Sequence, residues 1–125
     1  MKVISTKSAP AAIGPYSQGV VVNGLLFASG QIPLSPETGD VAEGGIREQT
    51  EQVMRNIEAV LAATGCDFTQ VVKATCFLTS MDDFAEFNDV YSKYFTGKPA
   101  RSCVAVSALP RGVSVEVEVI AKVES

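Results

Sequence analysis

The sequence predicts an α+β domain in which two helices cover one face of a six-stranded sheet. Three observations lead there. Short β-branched runs stand between Pro- and Gly-rich breaks at residues 3–4, 20–22, 25–28 and 71–79, and again on both sides of Leu109-Pro110-Arg111-Gly112. Two longer stretches, ending near residues 64 and 95, instead repeat apolar residues at intervals of three and four. The elements run strand, hairpin, helix, strand, helix, strand, strand with neither a repeat nor a linker, so residues 1–125 read as one domain able to bury a core.

Val3-Ile4 is a first, edge strand, and Ala9 to Gln18 is a loop that its prolines and Gly14 keep out of any regular element. Asn23-Gly24 between Val20-Val21-Val22 and Leu25-Leu26-Phe27-Ala28 is a hairpin signal, because both turn residues tolerate positive φ. Gln31 to Asp40 is a second loop. Ile46, Thr50, Val53, Met54, Ile57, Val60 and Leu61 then share one helical face, which predicts a helix over 46–64 with Gly65 past its end. Residues 71–79 form a strand whose Val71/Phe77 and Val72/Leu78 place apolar groups on both faces. Ser80 and Asp83 predict a capping box for a second helix lined by Phe84, Phe87, Tyr91, Tyr94 and Phe95 and closed by Gly97 and Pro99. Such an aromatic stripe describes core, and Asn88 lies beside it. Two helices cover only one sheet face, so the second apolar face predicts self-association.

Composition narrows the function. A net charge of −4 with scattered basic residues argues against a nucleic-acid surface. No run is long enough to span a bilayer and no signal peptide opens the chain, so a cytoplasmic protein is expected. Cys66, Cys76 and Cys103 lack metal or disulfide spacing, which predicts free thiols and no metal. Histidine is absent, which leaves acid–base work to a carboxylate, Tyr or Lys.

The last quarter of the chain supplies those groups. With a side-chain period of two, Glu116 and Glu118 share one face of a strand whose other face is Val115, Val117, Val119 and Ala121. Arg101 and Cys103 share a face of the preceding run. If the two strands, joined by the Leu109–Gly112 turn, lie near each other, a guanidinium and two carboxylates meet in an apolar setting. The same pattern also describes a solvated strand face. Tyr16, in the first loop, is a packing anchor or a pocket hydroxyl, and Ser29-Gly30 ends a strand with residues small enough for a ligand to approach the backbone.

Several segments together resemble the reactive-intermediate deaminase (RidA/YjgF) family. They are Ala9-Pro10-Ala11-Ala12-Ile13-Gly14-Pro15-Tyr16-Ser17-Gln18, Ala28-Ser29-Gly30-Gln31-Ile32-Pro33, Val72-Lys73-Ala74-Thr75, Pro99-Ala100-Arg101-Ser102-Cys103-Val104 and Leu109-Pro110 with Val115-Glu116-Val117-Glu118. The likeness runs nearly end to end. It implies a chorismate-mutase-like α+β fold, a six-stranded mixed sheet with two helices on one face, assembled as a homotrimer with sites in the clefts between subunits. It also implies hydrolysis of 2-iminobutanoate and 2-iminopropanoate to 2-oxo acids and ammonia, with no cofactor.

Carried over by position, Arg101 matches the arginine that binds the substrate carboxylate, a role suited to a two-pronged guanidinium. Glu116 matches the acid that positions and deprotonates water. Tyr16, Ser29, Gly30, Asn88 and Cys103 match pocket-lining positions, Cys103 through its backbone more than its thiol. Glu118 is expected to be structural, and Arg111 departs from many relatives in the charge near the cleft. Two other functions are set beside this one: a non-catalytic trimer that binds a small carboxylic acid and regulates a partner, and RNA cleavage, which the acidic composition disfavours.

Overall fold

The structure, a computed structural model, describes residues 1–123. Its strands are β1 (Lys2–Ile4), β2 (Gly19–Val22), β3 (Leu25–Ala28), β4 (Val71–Leu78), β5 (Ala100–Ala105) and β6 (Val115–Lys122), and its helices are α1 (Ile46–Ala62) and α2 (Phe84–Tyr94). Asn23 and Gly24 take φ values of 51° and 75°, as a two-residue hairpin turn demands, and Val22 pairs with Leu25 across it. Glu48 Oε1 accepts the Gly45 N–H at 2.8 Å where α1 begins. The helix stops two residues short of the expected limit. Gly65 at φ 76° and a 3.0 Å bond from Cys66 N–H to the Leu61 carbonyl close its end as a Schellman turn.

The capping box expected for α2 does not form. Ser80 Oγ accepts the Asp82 N–H at 3.1 Å and caps a single 3-10 turn over Met81–Asp83, closed by the Asp83 N–H on the Ser80 carbonyl. The α-helix starts only at Phe84, with no side-chain cap.

The sheet order is β1-β2-β3-β6-β4-β5. β6 runs antiparallel to β3 and β4, while β5 runs parallel to β4 across the crossover that α2 supplies. The two runs flanking Leu109–Gly112 are therefore not neighbours, because β4 lies between them. Burial gives the reason. Val115, Val117, Val119 and Ala121 are all sealed in the core, which places β6 at the centre, whereas most of β5 is exposed and suits an edge.

Both helices lie on one face. Val53, Met54, Ile57, Val60 and Leu61 of α1 and Phe87, Val90 and Tyr91 of α2 pack with Leu26, Ala74, Cys76, Leu78 and the β6 valines in one core. A bulge at the start of β4 breaks the period-two expectation: Val71 turns into the core and Val72 is exposed, while Phe77 and Leu78 keep the opposite faces expected. Among the described residues the other sheet face has no covering element. Paired residues share a face, so Val3, Val20, Phe27 and Ile120 form one apolar row across it, and Val104 and Phe77 stand in line with Glu116. Phe27, Val72 and Val104 are 43–46% exposed there. Among the described residues no helix is long and apolar enough to cross a membrane.

Candidate active site

The strand register divides the predicted residues into two groups on opposite faces of the sheet. Arg101 pairs with Ala74 and Cys103 with Cys76, both core residues, so Arg101 and Cys103 rise on the helix side. Glu116 pairs with Phe77 and Glu118 with Thr75, which puts both glutamates on the open face. Within one chain the guanidinium and the carboxylates do not meet, contrary to the expectation from the paired runs. The cause is the intervening β4: sharing a face within each strand does not fix which face two non-adjacent strands have in common.

On the helix side, Arg101 Nη1 donates to Asn88 Oδ1 at 2.6 Å. Its Cζ stands 4.7 Å from the Tyr91 ring centroid and 5.5 Å from that of Phe84. No carboxylate pairs with it among the described residues, where the ion pairs are those of Arg47 with Glu86 and Asp89. A half-buried guanidinium with aromatic faces and one amide oxygen for company keeps its charge and most of its donors for an anion. It lines a cavity of about 490 Å³ with Asn88, Tyr91, Phe95 and Lys98. Burial pushes the Cys103 thiol up, an effect Arg101 partly opposes, and pushes that of Cys76 beside it up to about 12. Neither is a thiolate at neutral pH.

On the open face, Glu116 is half-buried, and burial first, then the like charge of Glu118, raises its carboxyl above the ordinary value. Gly30 lies against it so closely that a side chain there would overlap the carboxyl. The approach comes from a bulge: beyond β3 the chain returns to β6 at Gln31, which exchanges bonds of 2.8 and 3.1 Å with Val117, so Ala28, Ser29 and Gly30 stand opposite only Glu118 and Val119. Ser29 ties the first loop down, its Oγ donating to the Ser17 carbonyl at 2.6 Å and its N–H to the Gln18 carbonyl at 2.9 Å. Tyr16, 55% exposed, lines a small cavity with Gly30 and Gln31 and also a larger one, of about 530 Å³, between the first loop and β1. Thus Tyr16, Ser29, Gly30 and Glu116 form one group, and Arg101, Asn88 and Cys103 the other.

Tyr91 belongs to the second group and reads as core in the sequence. Its signal is the spacing of three between Asn88 and Tyr91, which places both on one turn of α2. That spacing points to Arg101 only once β5 is known to lie beneath that turn. Among the described residues, no three His, Cys, Asp or Glu side chains gather as a metal site.

Comparison with known proteins gives the family. The family profile described as endoribonuclease L-PSP matches residues 6–123. A protein of Lactococcus lactis subsp. lactis named as a proposed regulator, AldR, is 56% identical over 126 residues, covering all of both chains. The 2-iminobutanoate/2-iminopropanoate deaminase of Bos taurus is 50% identical over 121 residues, 96% of this chain and 88% of its own. Among solved structures, one from Thermotoga maritima named as a proposed endoribonuclease superposes with a TM-score of 0.97 at 52% identity, covering 100% of this chain and 99% of that one. Escherichia coli TdcF with bound serine superposes with a TM-score of 0.93 at 41% identity, covering all of both chains. The chain therefore belongs to the endoribonuclease L-PSP family, the RidA/YjgF family that its segments resemble.

Proposed function

We propose that this protein hydrolyses the imino acids 2-iminobutanoate and 2-iminopropanoate to 2-oxo acids and ammonia, in a homotrimer of chorismate-mutase-like subunits whose sites join the helix-side group of one copy to the open-face group of the next. The observation that carries the reading is Arg101. It is a half-buried guanidinium without a carboxylate partner among the described residues, fixed at one nitrogen by Asn88 and open at the rest. Such a group takes the carboxylate of an amino-acid-derived ligand in a two-pronged pair. The family and the named deaminase at 50% identity support the reaction, and serine in TdcF supports the ligand class.

The chemistry asks little of the protein, because a protonated imine carbon is already electrophilic. Glu116 takes a proton from water as the water oxygen bonds to that carbon, and the C–N π pair moves to nitrogen. The carboxylic acid so formed returns the proton to the amine of the tetrahedral adduct. The C–N bond then breaks as the hydroxyl oxygen forms the carbonyl, and ammonia leaves with the hydroxyl proton as ammonium. A carboxyl raised above its ordinary value suits this exchange near neutrality, a contribution of roughly 10²–10⁴-fold. Arg101 supplies orientation.

The same geometry supports the proposed assembly. A second copy seated on the open face would cover Phe27, Val72 and Val104 and bring its Arg101 side to this copy's Glu116. Two different surfaces meet in such a contact, the kind that closes as a ring when its rotation allows. A second reading is a carboxylate-binding regulatory trimer, favoured by the similarity to AldR.

The test couples the purified protein to a threonine dehydratase with semicarbazide present and follows how much imine is trapped. The wild type suppresses trapping, Arg101→Ala does not, and Glu116→Gln lowers turnover more than binding. Wild type without effect on trapping, but with affinity for 2-oxobutanoate, replaces this reading with the regulatory one.

A further inference from the structure

The Arg101 guanidinium stands over aromatic surface, and no ion pair holds it among the described residues. It stands over Tyr91 at 4.7 Å and Phe84 at 5.5 Å, and its hydrogen bond among the described residues goes to Asn88. Tyr91 is itself fixed. Its ring stacks on Phe95 with centroids 4.2 Å and planes 17° apart, leans on Phe87 at 5.7 Å, and the residue is only 7% exposed. The hydroxyl has no such employment. It is buried without a hydrogen-bond partner among the described residues, a state that weakens a fold. Burial first, then the Cys76 thiol, pushes it up to about 12, so it stays protonated near neutrality. A ring that stacks on Phe95, has the Arg101 cation over it and carries an unused hydroxyl has its role in the π surface.

We propose that Tyr91 is a positioning residue: the face of its ring, not its hydroxyl, holds the Arg101 guanidinium in the orientation from which its free donors meet the carboxylate of an imino acid. The substrate in this statement rests on the deaminase reading, while the geometry applies to any carboxylate that Arg101 binds. Asn88 fixes one nitrogen and Tyr91 fixes the plane, so the two together set the direction of approach. The ring and the guanidinium line the same cavity, so a ligand anchored on Arg101 lies within reach of the aromatic surface as well.

The test replaces Tyr91 in the full chain by phenylalanine, by mono-, di- and trifluorinated phenylalanines, and by leucine. Fluorine drains electron density from the ring face with little change of shape, which a packing role does not feel. The readouts are KM and kcat for 2-iminobutanoate in the coupled assay, the affinity for 2-oxobutanoate by titration calorimetry, and thermal melting. Tyr91→Phe rescues the function that Tyr91→Leu loses. Affinity falls with each added fluorine, KM rising in step to roughly 2- to 30-fold at the far end, while kcat changes less. A flat fluorine series overturns the proposal, and it decides the matter even should the leucine variant fail to fold. If the wild type leaves the imine lifetime unchanged yet binds 2-oxobutanoate with the fluorine dependence, the deaminase reading falls and the positioning role stands. If it neither binds nor turns over, both fall.

Discussion

A methyl group at Gly30 would collide with the carboxyl of Glu116: a Cβ built there overlaps Oε2 and lies 2.9 Å from Cδ. The φ of Gly30 is not positive, so this glycine is required by space and not by backbone conformation. Gly30→Ala must push the carboxyl aside. The expected outcome is a fall of at least tenfold in kcat/KM with a stability loss of only about 1–3 kcal/mol. Imine trapping and urea unfolding on one preparation check it, and unimpaired turnover would remove Glu116 from the reaction.

The pH dependence follows from the raised Glu116 carboxyl. Its native value lies above its ordinary value of 4.5, so the folded chain holds the proton longer than the unfolded one. This group's contribution to stability is therefore greatest below that ordinary value and is lost as pH rises from there through the raised value. In the proposed reaction the base form of Glu116 is gained over the same window, so kcat/KM rises with pH. Glu118→Gln removes the second cause of the shift, and the acid limb of the profile moves to lower pH. A limb that stays put would mean that Glu118 does not act on Glu116.

Asn88 is the one oxygen that the described structure offers Arg101, at 2.6 Å. Asn88→Asp turns that amide into a carboxylate, which pairs with the guanidinium and competes with an incoming ligand. The variant should melt at a higher temperature and bind 2-oxobutanoate at least tenfold more weakly. Calorimetry separates the two effects, and tighter binding by the variant would show that Arg101 is not the anion site.

Gln18 organises the loop that carries Tyr16. It is buried, accepts the Thr6 N–H at 2.6 Å, and donates Nε2 toward the carbonyls of Thr6, Ala9 and Pro10 at 3.0, 3.3 and 2.8 Å. Gln18→Ala leaves these groups unpaired and should cost about 2–4 kcal/mol, read as a lowered urea midpoint at unchanged slope. A smaller loss would mean that the loop finds other partners.

The sequence by itself determined the local structure. Asn23-Gly24 specified its hairpin, the three-and-four spacing from Ile46 specified α1, and alternation put Glu116 and Glu118 together on one face of β6. These are periodicities and turn chemistries carried within a few residues. Only the tertiary structure decided the rest. Nothing near Arg101 reveals that β4 separates β5 from β6, since the order of strands in a sheet depends on which apolar faces bury each other across the whole domain. That order sends Arg101 to the helix side, over Tyr91 and beside Asn88, and leaves Glu116 on the open face against Gly30. The bulge after Val71 was likewise hidden, since a register shift against β6 belongs to the pair of strands and not to the alternating run of one.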